Sequence, residues 1–579
     1  MPLPKQAIFP GILENAYRRE LQNLAVKDAV PRLWAKDSSL WPAEEHQTES
    51  VKNNLGWLDL PTQLGPLMDR VVVRAAEVEA SDFEDVVFIS MGGSSLAAEA
   101  VLQLPSAKLA KRIFLLDYID PDSLRALEGT LHLGKTLFVF ANKSGKPIES
   151  HSIFLYFLEK LKTMGSPSPA SHFVALTEEN SYLSQLAAQY NFQDRFLDPQ
   201  GIHGRFSSLI HFNLFLAALC RLDPGHLLSR AQSMRAACGP SAPLNSNPAL
   251  SLAALLAAAE TTGMDRIVFL SAESLNPVLR RIGCLVGAST GKDGRGIVPI
   301  FANPADGLDL FQRSCLVARV KMAGEEDGEL SRKYEQLREA GIPVVSIELN
   351  GPEDLGVELF KWEIATALAC ALLQVDPFHD PDVRESRARA LQILEQITLG
   401  KQVPQPAIRV REAEIELYAE GETRRQLSTL NMAHALGTFF DLREQDGYLA
   451  VLPFFGMGEN REAIFRRLRD PFVSSLSLPV LLAPGPRYLH GFGQMFKGGP
   501  AKGLFLLLTA EPVKDIPIPG ASYSFGQLQM ALALGDFDSL ICRQRRVVRL
   551  HLARGADSGL LQLETLLKNA LKKTHSRTP

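Results

Sequence analysis

This 579-residue chain has no apolar run long enough to cross a bilayer. Gly503-Leu504-Phe505-Leu506-Leu507-Leu508, among its longest, falls far short of the ~20 residues a membrane helix needs. Its six cysteines, Cys220, Cys238, Cys284, Cys315, Cys370 and Cys542, form no Cys-x-x-Cys pair and no His/Cys cluster at metal spacing. They are expected as reduced, mostly buried thiols, with neither metal nor cofactor. Excess charge is missing too: the formal charge is −4, which argues against nucleic acid or an acidic membrane as the main partner. Met1-Pro2-Leu3-Pro4-Lys5-Gln6 lacks a signal-peptide profile, and no segment is of low complexity. What remains is an ordinary globular composition, 46% hydrophobic and 22% charged, expected of a soluble cytoplasmic α/β protein.

The length predicts two to four domains at a soft prior of ~150 residues each. Residues 1–80 read as a helical segment with Trp34, Trp41 and Trp57 as packing anchors. A first doubly wound domain is expected over 81–245, from the apolar runs Val86–Ser90, Arg112–Leu116, Thr136–Ala141 and His172–Leu176, with Arg195–Leu197 at an edge. Strand alternating with helix is the pattern of a parallel sheet covered on both faces. It repeats over 246–400, where Asp265–Leu270, Ile297–Ile300, Leu316–Val320 and Val344–Leu349 read as strands. A linker around Leu399–Ile408 leads to a C-terminal α/β portion, 401–579. There the basic run Arg543, Arg545, Arg546 and Arg549 reads as a solvated strand edge.

Two polar loops carry the chemistry. Val86–Ile89 runs into Ser90-Met91-Gly92-Gly93-Ser94-Ser95 and then a helical stretch. Leu137–Ala141 runs into Asn142-Lys143-Ser144-Gly145-Lys146-Pro147-Ile148-Glu149-Ser150 and a longer one. Strand, small-residue turn and helix together present free N–H groups and hydroxyls to a phosphate.

With Gly204-Arg205-Phe206-Ser207, these loops resemble the glucose-6-phosphate isomerase family, which is built on a pair of sugar-isomerase (SIS) domains. Further matches are Ala288-Ser289-Thr290-Gly291-Lys292, Pro377-Phe378 with Pro381-Asp382-Val383, and Gly493-Gln494-Met495-Phe496-Lys497-Gly498-Gly499. Their order looks closest to the isomerase half of bacterial transaldolase/glucose-6-phosphate isomerase fusions. The resemblance implies two doubly wound parallel-sheet SIS domains with a C-terminal α/β portion. It also implies a sugar-phosphate ligand held by Gly92, Gly93, Ser94, Lys143, Ser144, Gly145 and Ser150, with Arg205 over the developing oxyanion. A homodimer, and transaldolase or another carbon-metabolism enzyme, are the candidate partners.

Aldose–ketose isomerisation needs a carboxylate base near C1 and C2 and an acid/base that opens the ring. Against the family frame, Ala288 stands where the base glutamate would be and Cys284 where the glutamine would be. Asp380 replaces a glutamine and Arg387 a lysine, while Phe496 replaces the ring-opening histidine. Asn142 and Pro147 remove hydroxyls from the phosphate cradle. The leading expectation is a sugar-phosphate binder that is catalytically silent or strongly impaired. The alternatives are an active isomerase with relocated acid/base groups, drawn from His379, Asp380, Glu385 and His490, and a purely structural interaction protein. Glu385 also suits a plain i,i+4 pair with Arg389.

Overall fold

The computed structural model describes residues 2–575, apart from 43–50, 105, 142–147, 304–305, 308–309, 311–313, 326–327 and 402–404. The strands, in chain order, are β1 (Lys5–Phe9), β2 (Asp85–Ile89), β3 (Arg112–Leu116), β4 (Thr136–Ala141), β5 (Phe173–Glu178), β6 (Asp194–Asp198), β7 (Arg266–Leu270) and β8 (Val298–Ala302). They continue with β9 (Cys315–Met322), β10 (Val344–Leu349), β11 (Ile408–Glu412), β12 (Ile415–Tyr418), β13 (Tyr448–Pro453), β14 (Val480–Leu482), β15 (Gly503–Ala510) and β16 (Arg546–Leu552). Two compact units contain them. One comprises Met1–Leu116, His132–Pro147 and Gly165–His379; the other comprises Asp117–Leu131, Ile148–Met164 and Asp380–Pro579.

The first unit holds two five-stranded sheets. In one, all neighbours are parallel in the order β3-β2-β4-β5-β6. Its inner strands β2 and β4 are buried at every residue, as continuous apolar runs between two helical layers must be. The order reverses between β2 and β4, and such a reversal opens a ligand crevice at the carboxyl ends of the strands. The two polar loops follow those two strands. The second sheet runs β1-β10-β9-β7-β8, parallel except for β1.

Strand β1 corrects the reading of residues 1–80 as helical. Lys5–Phe9 pairs antiparallel with β10, from Lys5 opposite Glu348 to Phe9 opposite Val344. Pro4 and Pro10 bracket it, and proline is excluded from helix interiors. The rest of that stretch is mainly helical, with Trp41 and Trp57 buried in the core of this unit.

The second unit is built on the six-stranded sheet β11-β12-β16-β15-β13-β14, whose core includes Leu449, Leu506, Leu550 and Phe472. Here Arg545 and Arg549 depart from the solvated-edge reading, while Arg543 is exposed. β16 lies inside the sheet, between β15 and β12. Arg549 is fully buried over the Tyr418 ring at 3.8 Å. Arg545 is buried too, donating 2.7 Å to the Gly499 carbonyl. The missed hairpin β11–β12 shows why: it supplies the antiparallel neighbour that turns β16 from an edge into an interior strand. Five cysteines are buried and Cys542 is exposed. Among the described residues, no helix is long and apolar enough to cross a membrane.

Candidate functional site

The first loop is shaped by two glycines. Gly92 takes φ +80° before the helix Gly93–Leu102, a conformation open to glycine. A Cβ on Gly93 would sit 2.8 Å from the Gly204 carbonyl oxygen, so the loop and the turn Gly204–Phe206 touch backbone to backbone. That contact places Ser94, half-buried and accepting a 3.0 Å hydrogen bond from Ser90, near the turn carrying Arg205. Gly93→Ala is therefore expected to force the two segments apart and cost about 1–3 kcal/mol, read as a lower urea-unfolding midpoint. An unchanged midpoint would mean the contact yields freely.

Arg205 is buried. Its Nε donates to Ser289 Oγ at 3.3 Å and its Nη2 to the Pro377 carbonyl at 2.5 Å. Its own carbonyl accepts from the buried Arg281 guanidinium. The flanking Phe206 ring packs on Trp57 and Phe378, at centroid distances of 4.9 and 5.0 Å. Ser289 belongs to the helix Asn276–Thr290, in which Cys284 and Ala288 are both 0% exposed. Lys292 donates to the Ala288 and Ser289 carbonyls at 3.2 and 2.5 Å, so its ammonium caps this helix end. Glu363 accepts from the Ser208 N–H and lies 3.7 Å from Arg281.

In the other unit, Ser150 is buried in the first turn of the helix Ile148–Thr163. Beside it, fully buried Glu149 accepts a 3.0 Å hydrogen bond from His490 Nε2. Burial alone would raise the Glu149 carboxyl, but the imidazole of His490 and the charge of Arg387 hold it below the usual carboxylate range. Arg387, half-buried on the helix Pro381–Thr398, thus acts on Glu149. Asp380 precedes that helix without capping it through its side chain. Glu385 pairs with Arg389 at 2.8 Å and also with Arg543. Phe496 is 1% exposed, in an aromatic cluster with Tyr448, Tyr488, Phe492 and Phe505.

Lys143, Ser144 and Gly145, with Asn142 and Pro147, lie outside the described residues. Among the rest, the fold joins Gly93 to the Arg205 turn and Arg205 to Ser289, and it joins Glu149 to His490. The sequence did not single out Glu149, which the structure places in the first turn of the helix that follows the second loop. Its position one residue before Ser150 was the available signal. Among the described residues, no group of three or more His, Cys, Asp or Glu side chains could hold a metal ion.

Comparison with known proteins gives a consistent result. A probable glucose-6-phosphate isomerase of Haloquadratum walsbyi is 25% identical over 405 residues, covering 64% of this chain and 92% of that protein. The glucose-6-phosphate isomerase of Prochlorococcus marinus is 28% identical over 426 residues, covering 67% of this chain and 74% of its own. Among solved structures, a hypothetical protein from Thermus thermophilus superposes with a TM-score of 0.57 at 25% identity, covering 67% of this chain and 99% of that one. A Chlamydia trachomatis glucose-6-phosphate isomerase shares the fold, with a TM-score of 0.51 at 17% identity and coverage of 67% and 86%. No family model matches the chain.

Proposed function

From a chain similar in sequence and fold to the glucose-6-phosphate isomerases, we propose that this protein binds a phosphorylated sugar but does not carry out the 1,2-proton transfer. Ala288 carries this reading. It stands at the family's base position, fully buried, and a methyl group accepts no proton. The Lys292 ammonium, one turn on, is committed to helix carbonyls and brings no base to the spot. A positioned general base contributes ~10²–10⁴ in rate, so its loss alone removes most of the turnover. Arg205 would still stabilise negative charge on a bound sugar, and the Gly92–Ser94 loop would still offer backbone N–H groups to its phosphate.

The pairing of His490 with Glu149 favours a second reading, in which acid/base groups have moved and some isomerase activity survives. One experiment separates the two. The protein is expected to gain thermal stability with fructose 6-phosphate or 6-phosphogluconate. It should show no turnover above background when glucose 6-phosphate formation from fructose 6-phosphate is coupled to a dehydrogenase. Turnover would overturn the first reading, and no stabilisation at millimolar ligand would overturn both.

A further inference from the structure

We propose that Arg281 and Glu363 are positioning residues: they fix the turn that carries Arg205 and so aim its guanidinium at negative charge on the bound sugar. This rests on the reading that the chain binds a phosphorylated sugar. Both residues are 1% exposed, Arg281 on the helix Asn276–Thr290 and Glu363 on the helix Asp354–Leu373. Arg281 Nη2 donates to the Arg205 carbonyl, and Glu363 Oε1 accepts from the Ser208 N–H at 3.1 Å. The two side chains approach to 3.7 Å. Each therefore grips one end of the segment Arg205–Ser208, and their attraction ties the two grips together. Asn213 Nδ2 secures the far end, donating to the Ser207 and Ser208 carbonyls at 3.2 and 3.1 Å.

Stability alone does not account for this pair. Taking two charges out of water is costly, and a buried ion pair repays that only when its remaining hydrogen bonds are made. Here Arg281 Nε and Nη1 and Ser208 Oγ are buried with no hydrogen-bond partner among the described residues. Burial pulls the Arg281 guanidinium below its ordinary value, with Glu363 opposing. What Arg281 does hold is the carbonyl of Arg205 itself.

Arg281 also bears on the head of Arg205. The two like charges repel, so the residue that holds the Arg205 backbone pushes its guanidinium away. Ser289 Oγ and the Pro377 carbonyl receive it, at 3.3 and 2.5 Å. Ser289 lies on the same helix as Arg281, so one rigid element sets both the root and the head of Arg205. A guanidinium placed in advance meets a ligand anion without reorganising, and preorganisation is where such contacts gain their strength.

The test is titration calorimetry on the full chain with two probes that share one phosphate. 6-Phosphogluconate carries a carboxylate at C1, where glucitol 6-phosphate carries a hydroxymethyl group, so their difference reads Arg205. The wild type is expected to prefer 6-phosphogluconate. In Arg281→Met/Glu363→Gln both charges go together, and the glutamine still accepts from the Ser208 N–H. Its urea-unfolding midpoint should stay near that of the wild type. Its affinity for 6-phosphogluconate should fall about 10-fold or more, while that for glucitol 6-phosphate holds. A merely structural pair would not move one ligand without the other. If the double variant does not fold, Arg281→Lys decides: it keeps a cation beside Glu363 without the planar fork, and should show the same selective loss. Three outcomes overturn the proposal: undiminished affinity for 6-phosphogluconate, equal loss for both ligands, or a wild type that binds the two equally well. A wild type that binds neither would instead sink the binding reading, and the positioning role with it.

Discussion

Asp536→Ala is expected to destabilise the protein by about 3–5 kcal/mol, because it strands a buried cation. Asp536 lies fully buried on the helix Phe525–Cys542. Its Oδ1 accepts from Lys497 Nζ at 2.6 Å and from Ser386 Oγ at 3.2 Å, and its Oδ2 accepts from the Tyr488 hydroxyl. Burial first, and then the neighbouring Asp536 charge, push the Tyr488 phenol well above its ordinary value, so it stays a donor. Gly535 makes the arrangement possible: a Cβ there would meet the Ala390 nitrogen at 2.7 Å and the Ser386 carbonyl oxygen at 2.8 Å. The two helices touch at that glycine, and the next residue reaches Ser386. Chemical denaturation measures the loss, and the double variant Asp536→Ala/Lys497→Met should recover much of it. A loss under about 1 kcal/mol would show that the Lys497 ammonium finds water or another partner. Since the same carboxylate grips Tyr488, two residues before His490, the variant should also loosen the His490–Glu149 pair.

Stability should fall between pH 6.5 and about 4 because of one histidine, His551. It lies buried on β16 beside Thr509, with Nδ1 3.1 Å from the Thr509 hydroxyl. Burial, and then the Arg549 charge, push its imidazole down to about 4, only partly opposed by Glu416. Glu511, 3.8 Å away and largely exposed, is screened by solvent and offers little help. The folded state therefore keeps this ring neutral while the unfolded chain protonates it near its ordinary value of about 6.5. Over that window the unfolded state binds the extra proton, so stability is lost as pH falls, by about 3 kcal/mol in total. Urea-unfolding midpoints of wild type and His551→Gln, compared from pH 7 to pH 4, should converge at the acid end. Parallel curves would mean that the ring titrates normally.

Neither Asp536 nor His551 stands in a motif that the sequence singles out, and the reason is physical. Period and apolar content report whether a segment is buried on one face or two, and on that ground the inner strands β2, β4, β7 and β10 were legible. The Gly-Gly-Ser loop was equally legible, because a glycine at positive φ and a backbone contact at Gly93 are demands on residue type. β1 escaped because its five residues carry a weak alternation amid helical neighbours. β11 and β12 escaped because Ile408-Arg409-Val410 and Ile415-Glu416-Leu417 alternate half in charge, as an exposed loop also can. Once that hairpin is overlooked, β16 reads as an exposed edge when it is an interior strand.

The sequence alone determined the α/β character, the repeated strand-and-helix units, the two polar loops that follow strands, and the absence of a carboxylate at Ala288 and of an imidazole at Phe496. These are properties of residue type at a local position. Only the tertiary structure decided that Glu149 meets His490 across 341 residues, that Arg205 leans on Ser289, and that Asp536 gathers Lys497, Tyr488 and Ser386. A side chain's charge is written in its chemistry. Its partner depends on which distant segment the packing brings beside it, and local periodicity carries no record of that.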